Sequence, residues 1–302
     1  SVVPSLARPA VEWTALEAFV ALEASSLQVL LTRINGDITA LAEVAAGERA
    51  ASGALATVSS ALQRAAVPSQ WLAGGNVGKW SPSTPTQLFD QLLRKTQYIS
   101  GVIRTLNTHH ARSSDISTAL AAWLGEPMSF GQVLRPAALL NAFKQHCATH
   151  VRAPIDGVKL VASFDPLLLP TSAPRMCLQQ SYVTGCDVVP LTQGNNDLTA
   201  GPAKTSAGGM FALCDTSADS MSFSPLPPLY LTYIPLQQPD VYPFEGARAQ
   251  QYLVRGQPLA AVAVNVYTNR ERDDCVAVVK LPCATKPAKC ILNGTAVVIE
   301  MD

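Results

Sequence analysis

The sequence predicts an α+β protein, with an N-terminal helical part (a helical hairpin plus further helices) followed by a small antiparallel β-barrel of about six strands. Three observations lead there. Up to about residue 150, apolar residues recur every three or four positions, as on a helix with one buried stripe. Beyond it they come in short runs bounded by Gly, Pro, Asn and Asp, the mark of strands and turns. Between the two lies a seam, 123–164, where the period switches. There Leu139, Leu140, Phe143 and Cys147 share one face of a helix expected over 136–150. Pro154 cannot continue it and biases Ala153 toward extended geometry. After Gly157, Val158, Leu160, Ala162 and Phe164 alternate with Lys159, Val161 and Ser163, as a strand lying on a core does.

In chain order, 1–10 reads as an irregular leader with Pro4 and Pro9. A long helix follows over about 16–46, its stripe made by Phe19, Val20, Leu27, Leu30, Leu31, Ile34, Ile38 and Leu41, with Gly47 as its C-terminal cap. A second helix over about 51–66 ends before Pro68, and so short a connection makes the two antiparallel neighbours. Past Trp71 and a glycine-rich loop, Thr84, Pro85 and Gln87 mark a helix start, and Leu88, Phe89, Leu92, Ile99, Val102, Ile103 and Leu106 form its stripe. Residues 107–115 read as a polar connection, and Trp123-Leu124 as a strand-like start before Pro127 and Phe130. Strands are expected over 158–164, 176–184, 188–191, 229–234, 261–267, 275–281 and 295–301, with Asn293-Gly294 as a tight turn and 199–222 as a mobile loop. The expected organisation is 1–70, 71–157 and 158–302.

Hydrophobic residues make up 48% of the sequence and charged residues only 15%, which excludes a disordered protein. Basic and acidic residues balance at 22 each, so there is no basic field for nucleic acid or anionic lipid, and neither is expected as a partner. The start of the sequence has no apolar core behind a basic run and no stretch reads as a membrane span. Seven widely spaced cysteines form no disulfide framework and are expected as buried free thiols. The Ser at position 1 points to a piece of a longer polypeptide.

Motifs for chemistry are weak. Gly74 to Lys79 looks like a phosphate-binding loop but has Ala73 and Trp80 where that loop needs Gly and Ser or Thr. His146 and His150 stand one helical turn apart, as on a zinc-binding helix, yet Cys147 occupies the place of the general-base Glu. His109-His110 reads as a solvated loop pair, and Asn293-Gly294-Thr295 as a turn rather than a glycosylation acceptor. No nucleophile elbow and no paired carboxylates stand out, so no catalytic, cofactor-binding or metal residue is assigned.

A collinear series of short motifs adds to this. Val67-Pro68-Ser69-Gln70-Trp71, then Leu88 to Leu93, then Trp123-Leu124-Gly125 with Pro127 and Phe130, fall in order. Leu139-Leu140-Asn141-Ala142-Phe143-Lys144-Gln145 with Ala148 and Pro154-Ile155-Asp156-Gly157-Val158-Lys159-Leu160 follow. Tyr182-Val183-Thr184-Gly185, Leu226-Pro227-Pro228-Leu229-Tyr230, Leu281-Pro282-Cys283 and Asn293 to Val297 complete the series. Together they resemble the C-terminal region of dynein heavy chains, and Leu16 to Phe19 with the long helix resemble the end of the sixth AAA+ module. Departures are the lack of an S-T-T-G-like segment after Arg272, the lack of a tryptophan shortly before Gly294, where Cys290 or Ile291 stands, and a longer segment over 199–222. The Leu281-Pro282-Cys283 ending looks more like the intraflagellar-transport type of cytoplasmic dynein.

The resemblance implies a non-catalytic regulatory and structural domain of a microtubule motor, packed on the AAA+ ring of the same heavy chain. Its implied role is to tune force and processivity. ATP and magnesium would act elsewhere in the parent motor, with no cofactor in this chain. Microtubules and other dynein subunits would be reached through that motor, in the cytoplasm and cytoskeleton and, for the transport type, the cilium or flagellum. The residues singled out are structural: Trp71, Trp123, Phe130, Phe143, Pro154 and Asp156. Two other classes stay open from the residues alone: a zinc-dependent hydrolase using His146 and His150, and a free-standing adaptor of the same fold.

Overall fold

A computed structural model describes residues 3–72, 80, 82–112, 116–191, 210–214, 223–238, 253–254 and 257–299. The glycine-rich loop 73–79 lies outside the described residues, as does most of 199–222. The chain divides into two compact units, the first Ser1–Ala119 with Gln132–Arg135, the second Leu120–Gly131 with Pro136–Asp302.

The first unit is helical. Its leader is irregular as far as a 3-10 turn at Ala10–Glu12, and it is tied down: Arg8 Nη1 donates to both carboxylate oxygens of Glu17 at 3.0 and 3.1 Å. Helix α1 spans Ala15–Ala45. It opens on a capping box of Thr14 and Glu17. It closes on a Schellman turn, with Gly47 at φ +77° and the Glu48 N–H donating to the Glu43 carbonyl at 2.9 Å. By length and composition α1 could cross a membrane, but it packs against three other helices of its unit, as a core helix does. These are α2, Gly53–Gln63, the short α3, Ser69–Leu72, and α4, Pro85–Arg112.

Helix α4 begins where expected, with Thr84 Oγ1 accepting from the Gln87 N–H at 3.2 Å; the Gln87 side chain reaches the Ser83 N–H at 2.7 Å, one residue before the usual capping-box partner. It runs on to Arg112, so His109 and His110 sit in its last turn rather than in a loop. Two causes are visible. Asn107 is tied to the leader, accepting from the Ala7 N–H at 2.9 Å and donating to the Ser5 carbonyl at 3.0 Å. The basic groups there also complement the helix C-terminus.

The second unit takes in the C-terminal part of α5, Ile116–Gly125. Trp123-Leu124 is therefore helical, not strand-like. Leu120, Trp123 and Leu124 recur at helical spacing and are buried, and the alanines around them favour the helix. A short strand β1, Pro127–Met128, and a 3-10 turn at Phe130–Gln132 lead on to helix α6, Pro136–His150, at the expected bounds. Helix α6 ends with Arg152 at φ +54° and the Ala153 N–H on the Ala148 carbonyl, and Pro154 then opens a 3-10 turn over Ile155–Gly157.

The remaining strands are β2 (Val158–Ser163), β3 (Met176–Leu178), β4 (Tyr182–Thr184), β5 (Asp187–Leu191), β6 (Met210–Cys214), β7 (Phe223–Pro225), β8 (Leu229–Pro235), β9 (Leu253–Val254), β10 (Gln257–Pro258), β11 (Ala260–Tyr267), β12 (Cys275–Cys283) and β13 (Ala296–Val298). A last helix, α7, Pro287–Leu292, joins β12 to β13. A four-stranded sheet runs β1-β3-β8-β2, and a seven-stranded one runs β5-β6-β12-β11-β13-β4-β7. The outer strands of the larger sheet, β5 and β7, meet, and Ser224 Oγ donates to Asp187 Oδ1 at 3.0 Å, so the sheet is nearly closed into a barrel.

The α+β class with helices first and a barrel after is what the structure shows. The sheet is mixed, because β6 runs parallel to β12 and β13 parallel to β11. The second of these follows from α7, a crossover that carries the backbone over β11. Asn293-Gly294 is accordingly a helix end, not a hairpin: Gly294 has φ +65° and the Thr295 N–H donates to the Cys290 carbonyl. Part of the segment expected as a mobile loop, Met210–Cys214, is strand β6, an unbroken apolar run, with Phe211 to Leu213 buried. Strand β2 does not alternate. Val161 joins Leu169, Ala212, Ile234 and Leu259 in one core cluster, while α6 covers the strand as well, so both faces are covered.

Candidate functional site

The helical unit is held at one place by an indole. Trp71, fully buried on α3, donates its ring N–H to Asp37 Oδ2 on α1 at 2.8 Å, and Gln70 Nε2 donates to the same oxygen at 2.9 Å. One helical turn earlier, Arg33 Nη1 donates to the Gln70 carbonyl at 3.1 Å and reaches the Trp71 carbonyl at 3.5 Å. A guanidinium and a carboxylate at i and i+4 on α1 thus satisfy both the open carbonyls and the side chains of a one-turn helix that could not stand alone. The Phe89 ring lies 6.2 Å from the Trp71 ring, although Phe89 itself is 42% exposed.

A second cluster in this unit is a set of buried charges. Glu23 is wholly buried on α1. Its Oε2 accepts from the Leu134 N–H at 2.7 Å and its Oε1 from Arg135 Nε at 2.8 Å. Lys95, also buried, donates to the Val133 carbonyl at 3.0 Å and stacks over the Trp80 ring at 5.3 Å. Burial pushes the Glu23 carboxyl above its ordinary value, while the Leu134 N–H, Arg135 and Lys95 pull it back. The arrangement pins residues 133–135 by hydrogen bonds and charge.

In the second unit Trp123, Phe130 and Phe143 are buried. Phe143 meets Tyr233 of β8 edge to face, with ring centroids 5.8 Å apart. One turn further along α6 the Cys147 thiol is pushed up to about 12 by burial. Pro154 and Asp156 are exposed, Asp156 in the first turn of the 3-10 segment that precedes β2. Of the two histidines on α6, His150 donates from Nε2 to the Ser172 carbonyl at 2.7 Å. His146 is lowered below its ordinary value, first by burial and then by the neighbouring His150. Among the described residues, no group of three or more His, Cys, Asp and Glu gathers as a metal site.

In the barrel, Gly185 sits at φ +76°, and a Cβ there would lie 2.5 Å from the Asn293 carbonyl oxygen. The glycine that ends Tyr182-Val183-Thr184-Gly185 is therefore required by backbone sign and by close approach.

Residues 5–188 match the family defined by the C-terminal domain of dynein heavy chains, well over half of the 302 residues. The chain belongs to that family. Its relatives include cytoplasmic dynein 2 heavy chain 1 of Homo sapiens and of Rattus norvegicus, each 22% identical over 284 residues, and that of Mus musculus, 21% identical over the same length. These alignments cover 94% of this chain and 5% of each relative, so the chain spans about a twentieth of their length.

Within this dynein domain, Trp71, Trp123, Phe130, Phe143, Pro154, Asp156 and Gly185 all fall inside the matched range. Asp37 and Arg33, and the buried set of Glu23, Lys95 and Arg135, were not read from the sequence. A signal for the latter was present. Glu23 stands between Val20 and Leu27, and Lys95 between Leu92 and Ile99, at stripe positions where a helix of this kind carries apolar side chains. A charge inside a stripe announces a buried partner. Asp37 stands in the same way between Ile34 and Leu41, and its partners lie 33 and 34 residues away.

Proposed function

We propose that this chain is the non-catalytic C-terminal part of a dynein heavy chain, which packs on the AAA+ ring of the same polypeptide and tunes the motor's force and processivity. The observation that carries this is the length relation: similarity runs through 94% of this chain, yet fills 5% of a dynein heavy chain. The residues agree. The anchors at Trp71, Glu23 and Phe143 are packing and positioning groups, each buried and satisfied by a neighbour within its own unit. The low charge content suits a domain that lies within a larger assembly. ATP hydrolysis with magnesium and microtubule contact belong, in this proposal, to other parts of the heavy chain. The dynein 2 relatives favour the intraflagellar-transport type, working in the cytoplasm, on the cytoskeleton and in the cilium or flagellum.

The test has two arms. An antibody against 199–222 used on an extract of the source cell is expected to stain a very large polypeptide, and a band near 32.0 kDa would overturn the proposal. Removing 71–302 from the native heavy chain is expected to leave ATP hydrolysis in place while changing stall force or run length in single-molecule assays. Unchanged force and run length would remove the regulatory role.

A further inference from the structure

Two thiols of the barrel touch. Cys283, at the end of β12, and Cys290, on the inner face of α7, are each 1% exposed, and their sulfurs lie 3.3 Å apart. They are reduced in the structure. Both are carried on fixed backbone. The Ala284 N–H just after Cys283 donates to the Leu213 carbonyl at 2.7 Å, and the Cys290 carbonyl accepts from the Thr295 N–H at 2.9 Å in the turn that ends α7. Thr285 completes the surroundings: its carbonyl accepts from Cys283 Sγ at 3.1 Å, and its hydroxyl lies 3.5 Å from Cys283 Sγ and 3.8 Å from Cys290 Sγ.

We propose that Cys283 and Cys290 are a site of reversible disulfide formation, driven by a peroxide, that staples the crossover helix α7 to strand β12. A disulfide needs its sulfurs about 2.05 Å apart. From 3.3 Å this is an approach of about 1.3 Å, within reach of side-chain rotation plus a small shift of a one-and-a-half-turn helix. A metal is the rival use of paired thiols, but among the described residues no third His, Cys, Asp or Glu joins them as a ligand set. Both thiols carry a proton in the folded state: Cys283 donates its own to the Thr285 carbonyl, and the contact with Cys283 and then burial hold Cys290 protonated. Cys283 is the attacking group in this proposal and Cys290 the resolving one. Local opening of α7 lets Cys283 give up its proton to water, and the thiolate attacks one peroxide oxygen; the O–O bond breaks, giving a sulfenic acid and, after proton uptake, water or the matching alcohol. Cys290 then attacks that sulfur, the S–S bond forms, and the hydroxyl leaves with the Cys290 proton as water. The thiol pair is oxidised by two electrons and the peroxide reduced by two. Burial makes the first attack wait on local opening of α7, so the site responds to sustained rather than brief oxidant.

The protein is exposed to graded hydrogen peroxide, alkylated, unfolded and digested with trypsin, which cuts after Lys280 and Lys289 and so separates the two cysteines. The expected product joins peptide 281–289 to the peptide that begins at Cys290. The thiol count of the unfolded protein falls from seven to five and returns to seven with dithiothreitol. Oxidation of the exposed Cys275 with Cys283 and Cys290 both still alkylated would overturn the proposal, and so would pairing of Cys283 with Cys186 or Cys214. In Cys290→Ser the joined peptide is expected to vanish while Cys283 is trapped as the sulfenic acid. Because the peptide map of the unaltered protein decides the matter, the outcome does not depend on that variant folding.

Discussion

The bond between Trp71 and Asp37 makes the most exposed claim about the helical unit. Trp71 is fully buried and its N–H has Asp37 Oδ2 as partner at 2.8 Å. Hydrogen bonds to charged groups are worth about 1.5–3 kcal/mol, and a buried donor left without an acceptor costs about 1–3 kcal/mol. Asp37→Ala should therefore cost about 2–3 kcal/mol, since it strands the indole and also releases Gln70, whose half-exposed amide can turn to water. Asp37→Asn keeps an oxygen but loses the charge, and should cost roughly half as much. In a Trp71→Phe background the donor is already gone, and Asp37→Ala should cost only about 1 kcal/mol or less, so the cycle closes with a coupling of about 1.5 kcal/mol. Urea titrations followed by far-ultraviolet circular dichroism give each corner of the cycle, provided the urea slopes match. A coupling below about 0.5 kcal/mol would refute the reasoning, because it would mean that water replaces the carboxylate at no cost and that α3 is held by shape alone.

Two further expectations concern the second unit. Phe143→Ala removes a fully buried ring packed edge to face on Tyr233 and should cost about 3–5 kcal/mol in a denaturant titration; a loss below about 1 kcal/mol would show that α6 does not depend on this face. The lowered pKa of His146 means that the unfolded protein binds the proton more readily than the folded one. Its contribution is therefore present above the ordinary imidazole value and is lost as pH falls from about 6.5 through the lower folded value. His146→Gln should flatten the fall in stability below about pH 6.5, and parallel profiles for the two proteins would refute the assignment. Glu23 works in the opposite sense, since a raised carboxyl stabilises the fold at lower pH and that contribution is lost as pH rises through its folded value. The comparison is for that reason made between variants and not on the native profile alone.

Local signals carried most of the helical reading. Helix α6 appears at its expected bounds because Pro136 and Pro154 fence a clear stripe, and α1 ends at Gly47 because only a residue at ease with positive φ closes a Schellman turn there. Local signals failed where distant partners decided. Residues 107–112 look polar and turn-like, yet Asn107 is tied to residues about a hundred positions earlier, and the helix runs on. The strand alternation expected of 158–164 assumed one wet face, and no local feature says that α6 and β12 both cover the strand. Asn293-Gly294 illustrates the limit most sharply. The pair demands positive φ at the glycine in a hairpin and at a helix end alike, so the dipeptide fixes the backbone conformation without deciding the topology.

The buried charges specify a part of the helical unit that its apolar stripes do not. An apolar stripe tolerates exchange among Leu, Ile, Val and Met and so leaves few invariant letters. It also leaves the docking of a short segment under-determined, because oily surfaces match in many registers. Residues 133–135 have no helix or strand of their own to hold them. They are placed by the Leu134 N–H on Glu23, by Arg135 on the other oxygen of the same carboxylate, and by the Val133 carbonyl on Lys95. Removing any one of these groups strands a buried charge or a backbone dipole, a penalty of about 3–5 kcal/mol for a broken buried pair, whereas sliding the segment by one residue breaks all three. The register of the segment is thus encoded by two ionic side chains on two different helices rather than by the apolar letters around them. A sequence read by periodicity shows those letters first and the charges only as interruptions.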